Sequence, residues 1–393
     1  MTDPSATYPL EGLKVLDFSR VVAGPFATRM LSDLGAEVLK VEPPEGDLTR
    51  RLGRQGEGVS GFYLQNNIGK RNICLDLKTE GARDIALKLA EKADIVVENF
   101  RPGVMERFGL GWDDLSAVNP ALVMLSISGF GQQGPERGRA AYAPILHAES
   151  GQLARQAQII GGPVGDYQLS LADTYSSLHG LVGVFAALRV AEKTGIGQQI
   201  DLAMINVIHA TDDYAHWALD GIWPKPEESV VWDAPEGQKV LISSDLKWLW
   251  HLLSRDGVAD PTPEGADLAS KIASRRQAIA DWVRGHDSFD ALTAQLDALN
   301  LAWGRVRDFG EDSFSQPSAV ARDVLVDVED ERGEPRRTVQ SPYRFSQSPS
   351  GIDTGARPSK RGENNAEALA DWLGMSEDEV SALTQAGVLQ TEE

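Results

Sequence analysis

Residues 13–41, LKVLDFSRVVAGPFATRMLSDLGAEVLKV, place the apolar run Val15-Leu16-Asp17-Phe18 ahead of an amphipathic stretch, Phe26 to Leu34, and a second short run, Glu37-Val38-Leu39-Lys40-Val41. Runs this short suit strands, and the stretch between them has helical spacing. The alternation continues through Ile73-Cys74-Leu75, Ala82 to Lys92, Asp94-Ile95-Val96-Val97 and Leu122-Val123-Met124-Leu125. Such β/α alternation predicts an α/β protein: a mostly parallel sheet covered by helices, with ligands just beyond the C-terminal ends of its strands.

Two long helical patterns follow, Leu171 to Glu192 and Leu202 to Leu219, with Thr194-Gly195-Ile196-Gly197 as the stop between them. The first is almost wholly apolar after Ser177, which predicts a central, buried helix. Composition shifts at Trp223-Pro224-Lys225-Pro226, and tryptophans 232, 248, 250, 282 and 303 come after it. A smaller α+β domain is therefore expected at 232–325. The Pro/Ser/Gly-rich passage from Ser341 to Ser359 reads as extended and connecting. Ser376-Glu377-Asp378-Glu379 has the capping-box pattern, so a folded C-terminus is expected.

Composition narrows the function. No run reaches the ~18 apolar residues of a membrane span, and the start, Met1-Thr2-Asp3-Pro4-Ser5, lacks the features of a signal peptide. A cytoplasmic protein without membrane contact is expected. Cys74 is the one cysteine, and the six histidines make no HExxH-type arrangement, so no metal is expected. With 38 basic against 58 acidic side chains the formal charge is −20, which disfavours nucleic acid. An anionic small molecule remains open, because a few arginines and backbone N–H groups set the potential inside one cleft.

Gly129-Phe130-Gly131-Gln132-Gln133-Gly134 matches G-x-G-x-x-G, but Pro135-Glu136-Arg137-Gly138-Arg139 follows where a dinucleotide site needs a helix. No NAD(P) is expected. Asp173 opens the apolar helix in Ser170-Leu171-Ala172-Asp173-Thr174-Tyr175. It reads as a helix N-cap, or as a nucleophile held ionised by the helix dipole and meeting substrate with little water; both can hold. His179 turns roughly 120° away from it on the helix, and His147 reads as a satisfied core residue before a catalytic one. Arg50-Arg51, Lys70-Arg71, Arg101 and Arg107 sit near strand ends, either as solvated charge or as a converging phosphate site.

The chain resembles the class III CoA-transferases, the group that includes formyl-CoA transferase, crotonobetainyl-CoA:carnitine CoA-transferase and α-methylacyl-CoA racemase. The matching segments are Leu10 to Phe18 with Ala23-Gly24-Pro25, Leu34 to Val38, Asn67 to Asp76 (NIGKRNICLD), Glu98 to Gly103, Ser126 to Pro135 (SISGFGQQGP), Gly195 to Met204 (GIGQQIDLAM) and Leu373 to Leu389 (LGMSEDEVSALTQAGVL). The resemblance implies a Rossmann-like large domain built from both chain ends, 1–220 and 340–393, a small domain between them, linkers at 221–231 and 326–339, and two chains interlocked as rings in a homodimer. It implies an acyl-CoA:carboxylate CoA-transferase, with coenzyme A entering as the substrate thioester and a carboxylic acid as acceptor. Asp173 falls at the position of the family's nucleophile, which attacks the thioester to give a mixed anhydride. Val21, Ala23, Leu75, Asn99, Phe100, Arg107, Tyr142 and Met204 fall where similar proteins contact CoA or the acyl group. The racemase branch has a histidine where this chain has Tyr142, which favours transfer, since racemisation needs a second acid/base. An acyl-CoA racemase or isomerase, or a non-catalytic acyl-CoA-binding relative, are the alternatives. Two departures leave the acceptor open. The glycine-run loop of some transferases is missing from 225–242, and Asp173 has bulkier neighbours than relatives do; either another loop, using Gly161-Gly162 or Trp232, caps the site, or this member handles a larger acyl group.

Overall fold

The computed structural model describes residues 7–53, 57–223 and 231–392. Their described parts form two compact units, 7–223 with 320–392, and 231–319. In the first unit the elements run β1 (Lys14–Asp17), α1 (Ala23–Asp33), β2 (Glu37–Glu42), α2 (Gly61–Asn67), β3 (Arg71–Cys74), α3 (Ala82–Lys92), β4 (Ile95–Glu98), α4 (Val104–Arg107), α5 (Trp112–Val118), β5 (Val123–Ser128), α6 (Ala143–Glu149), α7 (Gln152–Ile160), α8 (Leu171–Thr194), β6 (Gln198–Ala203), α9 (Met204–Ala210) and α10 (Ala215–Leu219).

The expected parallel sheet is present: six strands in the order β3-β2-β1-β4-β5-β6, every pairing parallel. Strand order reverses between β1 and β4, so their C-terminal ends bound the crevice where such sheets bind ligands. Period-two alternation divides the two cores. Leu16, Leu39, Ile73 and Val96 pack with α3 and with the C-terminal helices Asn365–Leu373 and Glu377–Gln385. Val15, Val38, Ile95, Val97 and Leu125 pack with α1, α6, α8 and α9 on the other face. The last residues are folded as expected, and Ser376 and Glu379 form the capping box. Leu75 makes an antiparallel bridge with Leu389, which ties the chain's end to the loop after β3.

Several readings of the sequence need correction. β6 was not anticipated as a strand, because its partly exposed edge position gives the mixed pattern Gln198-Gln199-Ile200-Asp201 in place of an apolar run. The helix expected over 202–219 starts at Met204 and breaks at 211–214. In α8, Gly180 brings the helix close to β5, where a Cβ would stand 2.8 Å from Leu125 Cδ2. That explains one buried face. The other carries Leu178, Val182 and Phe185, with Val182 69% exposed, so among the described residues of the first unit this face of the helix is not covered.

The stretch 326–339, expected as a linker, lies mostly in an antiparallel hairpin, Leu325–Glu329 with Pro335–Val339. Its alternation places Val326 and Val328 in a small core with Val59, Tyr63, Leu64 and Ile68. Of the linker expected at 221–231, residues 224–230 lie outside the described residues. The second unit holds a three-stranded antiparallel sheet (Val231–Asp233, Lys239–Ile242, Trp303–Arg305) and the helices Leu246–Arg255, Leu268–Arg284 and Phe289–Ala298. Trp232 is buried in that unit's core. Among the described residues no helix is long and apolar enough to cross a membrane.

Candidate active site

The loops leaving β1 and β4 are joined across the crevice. Asn99 accepts the Arg20 N–H at 2.9 Å and donates to the Arg20 carbonyl at 2.8 Å, so one amide side chain satisfies both backbone groups of the opposite loop. The Arg20 guanidinium lies over the Phe100 ring, 5.0 Å from its centroid. Gly24 lets the β1–α1 loop fold back on the first turn of α1; a Cβ there would stand 2.1 Å from Ser19 Cβ.

Asp173 is 8% exposed and is the third residue of α8, behind N-cap Ser170. It therefore sits in the first helical turn and is not the cap itself. Burial pushes its carboxyl up to about 6, against the lowering by hydrogen bonding from the backbone of Ala143, Asp173 and Ala23. Ala23 and Ala143 are the first residues of α1 and α6, so two further helix N-termini converge on this carboxylate. Ser177 Oγ fixes the approach by donating to the carbonyls of Asp173 at 2.9 Å and Ala23 at 2.5 Å.

His147 is fully buried. Its Nε2 accepts the Ala172 N–H at 3.2 Å, and its Nδ1 lies 2.8 Å from Asp166 Oδ1. With Nε2 accepting, Nδ1 carries the proton and donates it to Asp166. His147 is thus a satisfied core residue whose bonds pin the start of α8, next to Asp173.

Asp173 opens onto a cavity of about 290 Å³ at the C-terminal end of the sheet. Of the residues singled out in the sequence, Val21, Ala23, Asn99, Phe100, Tyr142 and Met204 line it together with Asp173. Two do not. The Leu75 side chain is 1% exposed in the core beside α3, and Arg107, at the end of α4, is not among the lining residues. The basic groups near the first strand ends also serve otherwise than expected. Arg50 pairs with Glu42 at 2.9 Å and Lys70 with Asp17 at 3.1 Å, both inside the protein.

The cavity's cations are Arg20, Arg101, Arg137 and Arg139. Arg139 is engaged by Glu136 and Glu149, whereas the other three have no ion-pair partner among the described residues. In a chain of charge −20, three uncompensated guanidinium groups in one cavity favour an anionic ligand. Ser128 Oγ is buried on the same wall with no hydrogen-bond partner among the described residues, a polar atom left for a ligand to satisfy. Sequence reasoning missed Arg20, Arg137 and Arg139. The signal lay in the failed G-x-G-x-x-G, whose loop is held by the Gln132 N–H on Asp201 at 3.0 Å and runs on into the two arginines.

The profile of CoA-transferase family III matches residues 10–365. The chain is 32% identical to the succinyl-CoA–D-citramalate CoA-transferase of Chloroflexus aurantiacus, over 97% of this chain and 98% of that protein. It is 31% identical to the formyl-CoA:oxalate CoA-transferase of Streptomyces avermitilis, over 98% of this chain and all of the relative. Among solved structures it superposes on a CaiB/BaiF family protein from Brucella suis with a TM-score of 0.79 at 28% identity, covering 94% of this chain and 100% of the other.

Proposed function

The chain belongs to CoA-transferase family III, and from that premise we propose that it moves CoA between an acyl thioester and a free carboxylic acid through covalent intermediates on Asp173. The observation that carries this reading is a carboxylate 8% exposed, at the wall of a cavity with three uncompensated arginines, with the first residues of α1 and α6 turned toward it. Attack by Asp173 on the thioester carbonyl carbon breaks the C–S bond and releases CoA thiolate, leaving an acyl-aspartyl anhydride. The thiolate then takes the aspartyl carbonyl, releasing the donor acid and leaving an aspartyl-CoA thioester. The acceptor carboxylate displaces the thiolate, and the thiolate attacks the acceptor's acyl carbon, freeing Asp173. Every intermediate remains an activated acyl group, so no ATP is needed while water is kept out.

Val21, Ala23, Asn99, Phe100, Tyr142 and Met204 are the proposed contacts for CoA and the acyl group, with Arg20, Arg101 and Arg137 as the groups that meet its phosphates or a carboxylate. Relatives named for D-citramalate, oxalate and glutarate support small carboxylic acids as the acceptor class. Intact mass after brief incubation with a panel of acyl-CoA thioesters tests the mechanism. An acyl or CoA adduct is expected on the wild type and not on Asp173→Asn; equal adducts on both would remove Asp173 from the chemistry.

We read the working form as a cytoplasmic homodimer with a large domain built from both chain ends. Leu178, Val182 and Phe185 support the dimer, since the steps of four and three residues put these exposed apolar groups on one face of α8. Val182→Glu is expected to convert a dimer into a monomer in sedimentation velocity and to lower activity with it. A wild-type chain that sediments as a monomer at micromolar concentration would end this reading.

A further inference from the structure

Three consecutive residues between β1 and α1 are gripped by side chains from β1, β2 and the loops after β2 and β4. The Asp17 carboxylate accepts the Ser19 N–H at 2.9 Å, and Lys40 Nζ donates to the Ser19 carbonyl at 2.7 Å. Asn99 closes on both backbone groups of Arg20. Asp47 then accepts the Val21 N–H, at 3.2 Å and 3.4 Å from its two oxygens. Asp47 is itself fixed and 3% exposed. It accepts the Thr49 N–H at 2.9 Å and Thr49 Oγ1 at 2.7 Å, and Lys40 Nζ lies 3.4 Å away.

Val21, at the end of this row, has a φ of +71°. A β-branched residue enters the left-handed region only under constraint, at a cost that the surrounding structure must offset. Glycine would take the conformation freely but would leave the cavity wall without the side chain that Val21 contributes. Two residues later comes Ala23, whose backbone faces Asp173. A relaxed Val21 would rotate that whole segment.

We propose that Asp47 is a positioning residue for the reaction: it holds Val21 in the left-handed conformation and so fixes the Ala23 backbone against Asp173. This rests on Asp173 being the nucleophile. Asp47→Asn keeps the shape but leaves an NH2 group where the second carboxylate oxygen met the Val21 N–H and Lys40, so donor faces donor.

A double-mutant cycle on kcat, normalised to the fraction of protein that forms the covalent adduct, tests the clamp. Asp47→Asn alone is expected to lower kcat by roughly ten- to a hundredfold, as a misplacement near 1 Å does, with KM for the acyl-CoA changed far less. In a Val21→Gly background the same substitution is expected to cost less than about twofold, because glycine takes the conformation unaided. In a Val21→Ala background the cost is expected to persist, since alanine keeps the strain while losing the bulk. Equal relief by glycine and alanine, or an unchanged kcat in Asp47→Asn, would overturn the proposal. If Asp47→Asn does not fold, the Val21 pair decides. Val21→Gly is expected to melt higher than Val21→Ala, and the reverse order would mean that no strain is held there. Absence of any adduct on the wild type would end the Asp173 reading itself, whereas an adduct with an uncoupled cycle ends only this proposal.

Discussion

Asp173→Asn is expected to lower the transfer rate by roughly three orders of magnitude or more, as loss of a covalent nucleophile does, while making the protein harder to unfold. The two effects share one cause. Burial raises the Asp173 carboxyl from 3.8 to about 6, so the fold prefers it protonated. Above that range the native state holds a carboxylate that the unfolded chain would ionise more easily, a cost of up to ~3 kcal/mol for about two pH units. The neutral amide removes most of it. The gain in thermal stability is expected near pH 8 and should shrink as pH falls through about 6 toward 4, where the wild-type carboxyl is protonated as well. Activity carries the opposite sign, since only the carboxylate attacks, so kcat/KM should fall on the acid side with an apparent pKa near 6. An amide variant that loses activity and also loses stability at pH 8 would show Asp173 to be a structural group.

The wild-type fold should show related behaviour without any mutation. Burial raises Asp33 to about 6 and Glu98 to about 7. Each contributes stability as pH falls below its folded value, because the native state then binds a proton that the unfolded chain still releases. Glu42 runs the other way. Burial alone would raise it, but Arg50, Lys40 and the Tyr63 hydroxyl outweigh this and hold it at about 2. Its contribution is present above the ordinary carboxylate range and is lost as pH falls toward 2.

The sheet was legible because β1, β2, β4 and β5 are buried on both faces and leave unbroken apolar runs in the chain. β6 was not, since an edge strand need not be apolar. Asp173 could be singled out as the proposed nucleophile but not as the third residue of its helix. Capping is decided by the dihedral angles of Ser170, which no spacing rule reads. The basic residues show the limit most clearly. Arg50, Lys70, Arg101 and Arg107 look alike as charges near strand ends, yet two of them are consumed by Glu42 and Asp17, partners that the sequence does not distinguish from other acids. Leu75 shows a related limit. Its segment matches the family pattern, but its side chain points into the core that the chain's last residues close.

Lys70→Met is expected to destabilise the first unit by ~3–5 kcal/mol, the cost of removing one partner from a buried ion pair. Lys70 Nζ donates to Asp17 Oδ2 at 3.1 Å, to the Pro25 carbonyl at 3.0 Å and to Asn67 Oδ1 at 2.9 Å, with the lysine 4% exposed and Asp17 fully buried. Burial alone would raise the Asp17 carboxyl, but Lys70 first and Lys40 next, with hydrogen bonds from Ser19 and Thr28, hold it at about 2. With the main cation gone, Asp17 has to be protonated or stay ionised in the core, and its grip on Ser19 loosens either way. The loss should therefore be smaller at pH 5 than at pH 8, the inverse of the acid lability that salt-bridged carboxylates normally confer. Asp17→Asn in the Lys70→Met background is expected to recover part of the stability, because the uncompensated charge is removed while the shape is kept. It should not recover activity in proportion, since an amide cannot accept from Ser19 and Thr28 on both of its atoms as the carboxylate does. Chemical denaturation of the two variants at both pH values, with transfer rates beside it, separates the contributions. A Lys70→Met protein as stable as wild type at pH 8 would mean that Lys40 alone neutralises Asp17, and that the loop before α1 hangs on one cation and not two.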